Sequence, residues 1–391
     1  MPLAEQRLIE ILRDAGVDLV ATLPCAKVRR LIERLPEHFS HVALSREEEG
    51  VGIAAGAALA GRRPAMILQN SGVGNLTNAL LSLTAYYRLP LALFLSHRGV
   101  YRETIAAQVP MGEHVQAMLE AAGVACTRVD RADELDQLAA PLAEVYAKGL
   151  IHAFLLSPQI WKTSQPAAQT DSPLTQTLRR SVPPTPTPPV PSLTRYGLLR
   201  AAAPRLAGQA VICNLGLPAK ELYAVAHQSS NFYMLGSMGM ATPIGLGVAL
   251  STSREVFVID GDGSLLMNPS TLGLVAAHAP PNLTILAIDN GVYSSTGDQP
   301  TLAGSQVHLS ALARAFGLQN VSTVSGADAL LTALDAGRGP RFVHAVAAVG
   351  NHKTPDVPLT ADEIKTAFMS HFEEPVQQPS LRRVLGERDK Q

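Results

Sequence analysis

Two short groups in this chain place oxygen ligands and small residues directly behind apolar runs. Gly261-Asp262-Gly263-Ser264 follows residues 255–260, and Asp289-Asn290-Gly291-Val292-Tyr293 follows residues 283–288. Both runs are apolar and β-branched, the pattern of a strand buried in a parallel sheet. Residues 270–278 between them have the length and composition of a helix. Such a strand–helix–strand unit crosses over right-handed, so both strand ends open on one sheet edge. The Asp262 carboxylate and the Asn290 side-chain carbonyl then reach the same crevice. Two such oxygens plus a backbone carbonyl suit a hard cation such as Mg2+, which also takes diphosphate oxygens. Gly261 and Gly263 let the main chain approach a phosphate, and the helix start behind them offers free N–H groups. A bare Gly-Asp-Gly is a common turn; its weight comes from its place after a strand, with an asparagine after the next one.

A second cluster, Glu47-Glu48-Glu49, opens the segment 50–60, which is small and apolar on every side. Three acids at a helix start have a bland use, since they favour the positive end of the helix dipole. A helix apolar all round is buried, however, so at least one acid enters a low-dielectric interface. Burial there raises a carboxyl pKa and suits it to proton exchange near neutrality. Periodicity leaves open which acid that is. Ser45 and Glu48 have capping-box spacing, with Ser45 as N-cap.

The elements that must hold these groups divide the chain in two. A chain of 391 residues suits two domains of ordinary size, and 47% hydrophobic with 17% charged residues fills large cores. A net charge of −1 gives no electrostatic footing for nucleic acid or an acidic membrane surface. Cys25, Cys126 and Cys213 lie far apart without metal-ligand spacing, which points to a reducing cytoplasm. Residues 1–13 read as an amphipathic helix, not a signal peptide, and apolar runs such as 54–60 are too short to span a bilayer. Strands are expected at 17–23, 41–44, 65–69, 91–95, 124–129 and 151–156, alternating with helices. That alternation predicts an α/β fold with a doubly wound parallel sheet. Residues 163–192 turn polar and end in a proline-rich run, a spacer more readily than a partner-binding ligand. The second half repeats the alternation from a helix at 196–206 and a strand at 210–214. The divisions are 1–162, a linker 163–193, a second doubly wound domain 194–375, and a tail 376–391.

The Gly-Asp-Gly to Asn arrangement resembles the metal–diphosphate motif of the thiamine-diphosphate-dependent enzymes. The resemblance implies that Asp262, Asn290 and the Val292 carbonyl hold Mg2+, with Gly263, Ser264 and Tyr293 at the cofactor. In that family the glutamate serving the aminopyrimidine ring lies nine residues before a helix glycine, which here makes Glu47 the partner of Gly56. The chain matches Glu-x-x-x-Val-Gly-Ile-Ala-x-Gly over 47–56. A dinucleotide-binding reading of Gly50-Val51-Gly52 lacks the glycine spacing, and Gln69 and Asn70 stand where an acid would be needed. Gly236-Ser237-Met238-Gly239-Met240 resembles the family segment between the cofactor rings, with Met238 as the wedge and the Gly236 carbonyl accepting from the amino group.

A narrower resemblance, over nearly all residues outside the linker and tail, is to sulfopyruvate decarboxylases. Arg46–Gly50, Gln69–Gly72 and residues 110–113 are similar to their α subunit; residues 214–221, 289–293 and 295–301 are similar to their β subunit. Phosphonopyruvate decarboxylases share the compact plan. The implied reaction is loss of CO2 from a small 2-oxo acid bearing a second anionic group. A carboligase or acetyltransferase of the same family is the alternative, and a cofactor-binding scaffold without activity a third. Candidate substrate contacts are Lys27, Asn70, Ser71, His97, Arg98 and Lys220; of these, Lys27 and His97 are also candidate catalytic groups. Cys25 is expected near the site, or as an inert buried thiol. The resemblance further implies a homodimer or homotetramer whose sites lie between chains, with Glu47 and Asp262 of one site on different copies.

Overall fold

The computed structural model describes residues 3–161 and 189–373. Most of the proline-rich linker and the whole tail expected at 376–391 therefore lie outside the described residues. Two six-stranded parallel sheets organise the remainder, as the alternation predicts. The first comprises β1 (Leu19–Thr22), β2 (Ser40–Ala43), β3 (Pro64–Gln69), β4 (Leu91–Ser96), β5 (Ala125–Val129) and β6 (Ile151–Leu156), ordered β2-β1-β3-β4-β6-β5. The second comprises β7 (Ala210–Cys213), β8 (Asn231–Tyr233), β9 (Val256–Gly261), β10 (Leu283–Asp289), β13 (Asn320–Val324) and β14 (Arg341–Val346), ordered β13-β14-β10-β9-β7-β8. A two-residue ladder of β11 (Val292–Tyr293) and β12 (Gln299–Pro300), which strand periodicity does not reveal, follows β10.

The central strands β1, β4, β7 and β10 are buried along their whole length, which explains why their sequences run apolar instead of alternating. In each sheet the strand order reverses beside a central strand, between β1 and β3 in the first and between β7 and β9 in the second. Loops leaving such a reversal diverge and open a crevice at the carboxyl edge. Among the described residues no helix is long and apolar enough to cross a membrane.

Four helices matter for the site: α1 (Glu47–Leu59), α2 (Val73–Ala79), α3 (Ala241–Ala249) and the single turn α4 (Asp262–Leu265). Every residue of α1 and of α3 is buried. The two run side by side in the same direction and join the domains. Gly52 abuts Pro243 and Met240, Gly56 abuts the Ile244 carbonyl, and Gly247 abuts the Ile53 carbonyl. A Cβ on Gly56 or Gly247 would sit 2.1 or 2.0 Å from those carbonyl oxygens, so the small residues set how closely the backbones approach. Across the same junction the Tyr87 hydroxyl donates to the Tyr233 carbonyl and accepts from the Leu235 N–H, both at 2.9 Å.

Candidate active site

The strand ends at the second reversal gather the predicted ligands. Gly261 ends β9 and Asp262 begins α4, while Asn290 follows β10. A cavity of about 140 Å³ lies between them, lined among others by Met238, Asp262, Gly263, Ser264, Asn290 and Tyr293. Gly263 is required by packing: a Cβ there would sit 2.1 Å from the Tyr293 ring. Gly261 has no such neighbour and leaves its backbone open to the cavity. The Met238 turn is held by Ser237, whose φ of +59° is left-handed and whose hydroxyl meets that of Ser82 at 2.6 Å. The Gly239 N–H donates to Ser264 Oγ at 3.1 Å, tying this turn to the Asp262 segment.

The electrostatics of this crevice favour a cation. Asp262 is 4% exposed. Burial, with the charge of Asp289 adding to it, pushes its carboxyl up to about 6 against the opposing hydrogen bond from Thr301. That Thr301 hydroxyl donates to Asp262 Oδ2 at 2.5 Å. Asp289 Oδ1 accepts from the Gly291 N–H at 3.0 Å and its Oδ2 pairs with His344 Nε2 at 2.9 Å, which sets the turn presenting Asn290 and Val292. Among the described residues no three His, Cys, Asp or Glu side chains converge as a metal cage. A cation here would rest on one carboxylate, one amide oxygen, one backbone carbonyl and oxygens of the ligand itself, the donor set preferred by Mg2+. The Asn214 side-chain oxygen, buried on the cavity wall after β7, has no partner and is a polar group left for a ligand.

Two family models match the chain, one on each domain. Residues 3–125 match the N-terminal TPP binding domain of the thiamine pyrophosphate enzymes, and residues 215–345 match their C-terminal TPP binding domain. The chain belongs to the thiamine pyrophosphate enzymes. A sulfopyruvate decarboxylase from Methanosarcina acetivorans is 39% identical over 93% of this chain and 96% of its own length. A phosphonopyruvate decarboxylase from Streptomyces viridochromogenes is 38% identical over 86% of each. Among solved structures, a thiamine diphosphate-dependent 4-hydroxybenzoylformate decarboxylase from Rhodococcus jostii RHA1 superposes with a TM-score of 0.67. At 13% identity over 90% of this chain and 99% of that one, it bears on the fold alone.

The coenzyme of this thiamine pyrophosphate enzyme is thiamine diphosphate, and the Asp262 crevice offers the oxygen donors and open glycine backbone that suit a metal-bound diphosphate. The acid cluster lies elsewhere in the same chain. Glu47, 9% exposed, accepts from Asn75 Nδ2 at 2.9 Å and packs against Gly72, where a Cβ would sit 2.3 Å from its Oε1. Its neighbours turn to the second domain: Glu48 reaches Asn268 at 3.5 Å, and Glu49 accepts from Ser270 and Thr271 at 3.2 and 3.0 Å. The capping arrangement differs from the expected one by a residue. Arg46 is the N-cap, and Glu49, not Glu48, accepts from the Ser45 and Arg46 N–H groups at 2.7 and 2.9 Å. The helix starts at Glu47, so the third helical residue is Glu49 and only it can reach back.

The predicted substrate contacts separate. Lys27 is exposed on the turn after β1. Lys220 pairs with Asp356 at 2.5 Å. Asn70 is fully buried and clamps both backbone groups of Arg98, at 2.8 and 3.0 Å, which makes it a brace between the β3 and β4 ends. His97 turns away from Ser96 and Cys25: its Nε2 meets the Gly112 carbonyl at 2.9 Å, and burial holds its pKa below the ordinary histidine value. Arg98, Ser71 and Cys25 converge with Gln69 and Gln108 at the reversal of the first sheet. Sequence reasoning missed Asn75, Asn214, Thr301 and Gln108. Asn214 could have been found as the first residue after a strand; the others are delivered by tertiary packing.

Proposed function

We propose that the chain decarboxylates 3-sulfopyruvate to sulfoacetaldehyde and CO2. The carrying observation is the 39% identity to a sulfopyruvate decarboxylase along almost the full length of both chains. Phosphonopyruvate is the second reading, supported by the 38% identical relative; its lower coverage ranks it second. Bound thiamine diphosphate supplies the electron sink that takes up the charge left when CO2 departs. Asp262, Asn290 and the Val292 carbonyl would hold Mg2+, with Gly263 and Ser264 at the diphosphate. Met238 would support the bend between the rings, and the Gly236 carbonyl would accept from the ring amino group. Glu47 would hold a proton toward the aminopyrimidine from its place against Gly72 and Asn75. We place the enzyme in the cytoplasm, with residues 163–193 as the spacer between domains, and as a homodimer or homotetramer.

The test is CO2 release from 3-sulfopyruvate and 3-phosphonopyruvate side by side, with Mg2+ and thiamine diphosphate supplied. Free aldehyde is expected as product; a product coupled to a second carbonyl or to phosphate would move the enzyme to the carboligase or acetyltransferase class. Glu47→Gln is expected to lower turnover about 100-fold or more while coenzyme binding persists. Unchanged turnover in that variant would remove Glu47 from its role.

A further inference from the structure

The reversal of the first sheet carries a polar cluster separate from the residues assigned above to the coenzyme. Arg98, 6% exposed, donates to Glu103 through Nε at 2.6 Å and Nη2 at 2.8 Å. Glu103 also accepts from the backbone N–H groups of Gly99, Thr104 and Ile105 at 3.3, 3.1 and 3.2 Å. The Arg98 bond holds its carboxyl at about 2. The carboxylate is thus satisfied on its own side of the loop, and the pair is oriented. The remaining guanidinium nitrogen, Nη1, turns toward Gln69 Oε1 at 3.5 Å. Gln69 Nε2 donates to Gln108 Oε1 at 2.9 Å and to the Ser71 hydroxyl. The Cys25 thiol closes the group, 3.4 Å from Ser96 Oγ.

We propose that Arg98 Nη1, Gln69 and Gln108 form the subsite for the second anionic group of the substrate, a sulfonate or phosphonate; this rests on the decarboxylase reading. The Arg98 guanidinium edge and the Gln108 amide nitrogen, held in place by Gln69, offer N–H donors to a tetrahedral oxyanion, and hydrogen bonds to an ionised group are the strong ones. The site is built in advance. Gly99 has φ +86°, and a Cβ there would sit 2.0 Å from the Gln108 carbonyl oxygen; one on Gly112 would sit 2.4 Å from the Arg98 carbonyl oxygen. With Asn70 clamping Arg98, little ordering remains to oppose binding. Its position also fits. Gln69 opens the turn that continues through Ser71 to Gly72, the residue packed on Glu47, so the anion subsite and Glu47 meet the same turn. The loops leaving the paired strands β1 and β3 diverge at this crevice, where ligands of open α/β sheets bind.

Calorimetry with 3-sulfopropanoate, which keeps carboxylate and sulfonate but lacks the reacting keto group, tests the subsite on enzyme loaded with thiamine diphosphate and Mg2+. Arg98→Leu is expected to weaken its binding about 10- to 100-fold and Gln108→Leu about 10-fold, with propanoate binding and coenzyme affinity unmoved. A parallel series with 3-phosphonopropanoate tells which oxyanion the subsite prefers. Variants that bind 3-sulfopropanoate like the wild type, or that lose propanoate and coenzyme equally, overturn the subsite. Should Arg98→Leu fail to fold for want of a partner to Glu103, the half-buried Gln108 decides. A wild-type enzyme that binds neither dianion overturns the subsite and the decarboxylase reading together; binding without any variant effect overturns the subsite alone.

Discussion

Asp262 is a carboxyl whose protonation is set by its burial in the crevice. Its carboxyl sits at about 6, above the ordinary carboxylate value near 4. The folded coenzyme-free protein therefore binds this proton more tightly than the unfolded chain does. Stability from this group is complete below pH about 4 and is lost as pH rises through about 6. Asp262→Asn should match the wild type at pH 4 and exceed it at pH 7.5, by on the order of 2 kcal/mol. Melting temperatures of both coenzyme-free proteins between pH 4 and 8 check this; curves that stay parallel would disprove it. The same variant should lose Mg2+-dependent coenzyme binding, since the group that destabilises the empty fold is the one proposed to hold the cation. Asp262 and Asn290 were legible because ligand residue types stood directly after strand-like runs. Thr301 was not, because a loop of no recognisable period brings its hydroxyl to Asp262.

At the scale of elements, α1 was readable as a buried helix because no face of it is polar, but its partner was not. Helix composition says that a surface is covered and is silent on what covers it. The partner is α3, and the glycines explain the pairing. With a Cβ at Gly56 placed 2.1 Å from the Ile244 carbonyl oxygen, the obstacle is backbone and cannot swing aside. Gly56→Ala, although it raises intrinsic helix propensity, should destabilise the protein by about 1–3 kcal/mol through overpacking. Gly247→Ala, facing the Ile53 carbonyl oxygen at 2.0 Å, should do the same. Gly61→Ala is the control for handling a glycine at the end of the same segment: its Cβ would meet nothing within 4 Å, and its cost comes from φ +83° alone. Denaturant midpoints at constant slope measure all three; a neutral Gly56→Ala would mean that the helices can part without penalty. The strand boundaries differ from the predicted ones by a residue or two for a related reason, since pairing with neighbours, and not local composition, fixes where a ladder ends.

The whole molecule poses the question of which copy supplies which half of the site. Within one chain, every residue lining the cavity at Asp262 belongs to the second domain. Glu47 keeps its contacts with Gly72 and Asn75 of the first. α1 and α3 run parallel but staggered: Gly52, more than one turn into α1, lies beside Met240 at the start of α3, so Glu47 projects past the junction. Leu81, Tyr86, Leu235 and Met267 stay exposed beside the residues that form this junction, an apolar surface suited to a second copy. A symmetric dimer would then bring one copy's Glu47 to the other's cavity. Mixed dimers carrying two different tags test it. A dimer of one Glu47→Gln chain and one Asp262→Asn chain retains one intact site if sites are shared, hence about half the wild-type activity, and none if each chain is self-sufficient. A dimer of one wild-type chain and one chain with both substitutions gives the opposite: nothing if sites are shared, about half if they are not. The two dimers contain the same substitutions in the same numbers, so a difference between them can come only from how the halves are paired.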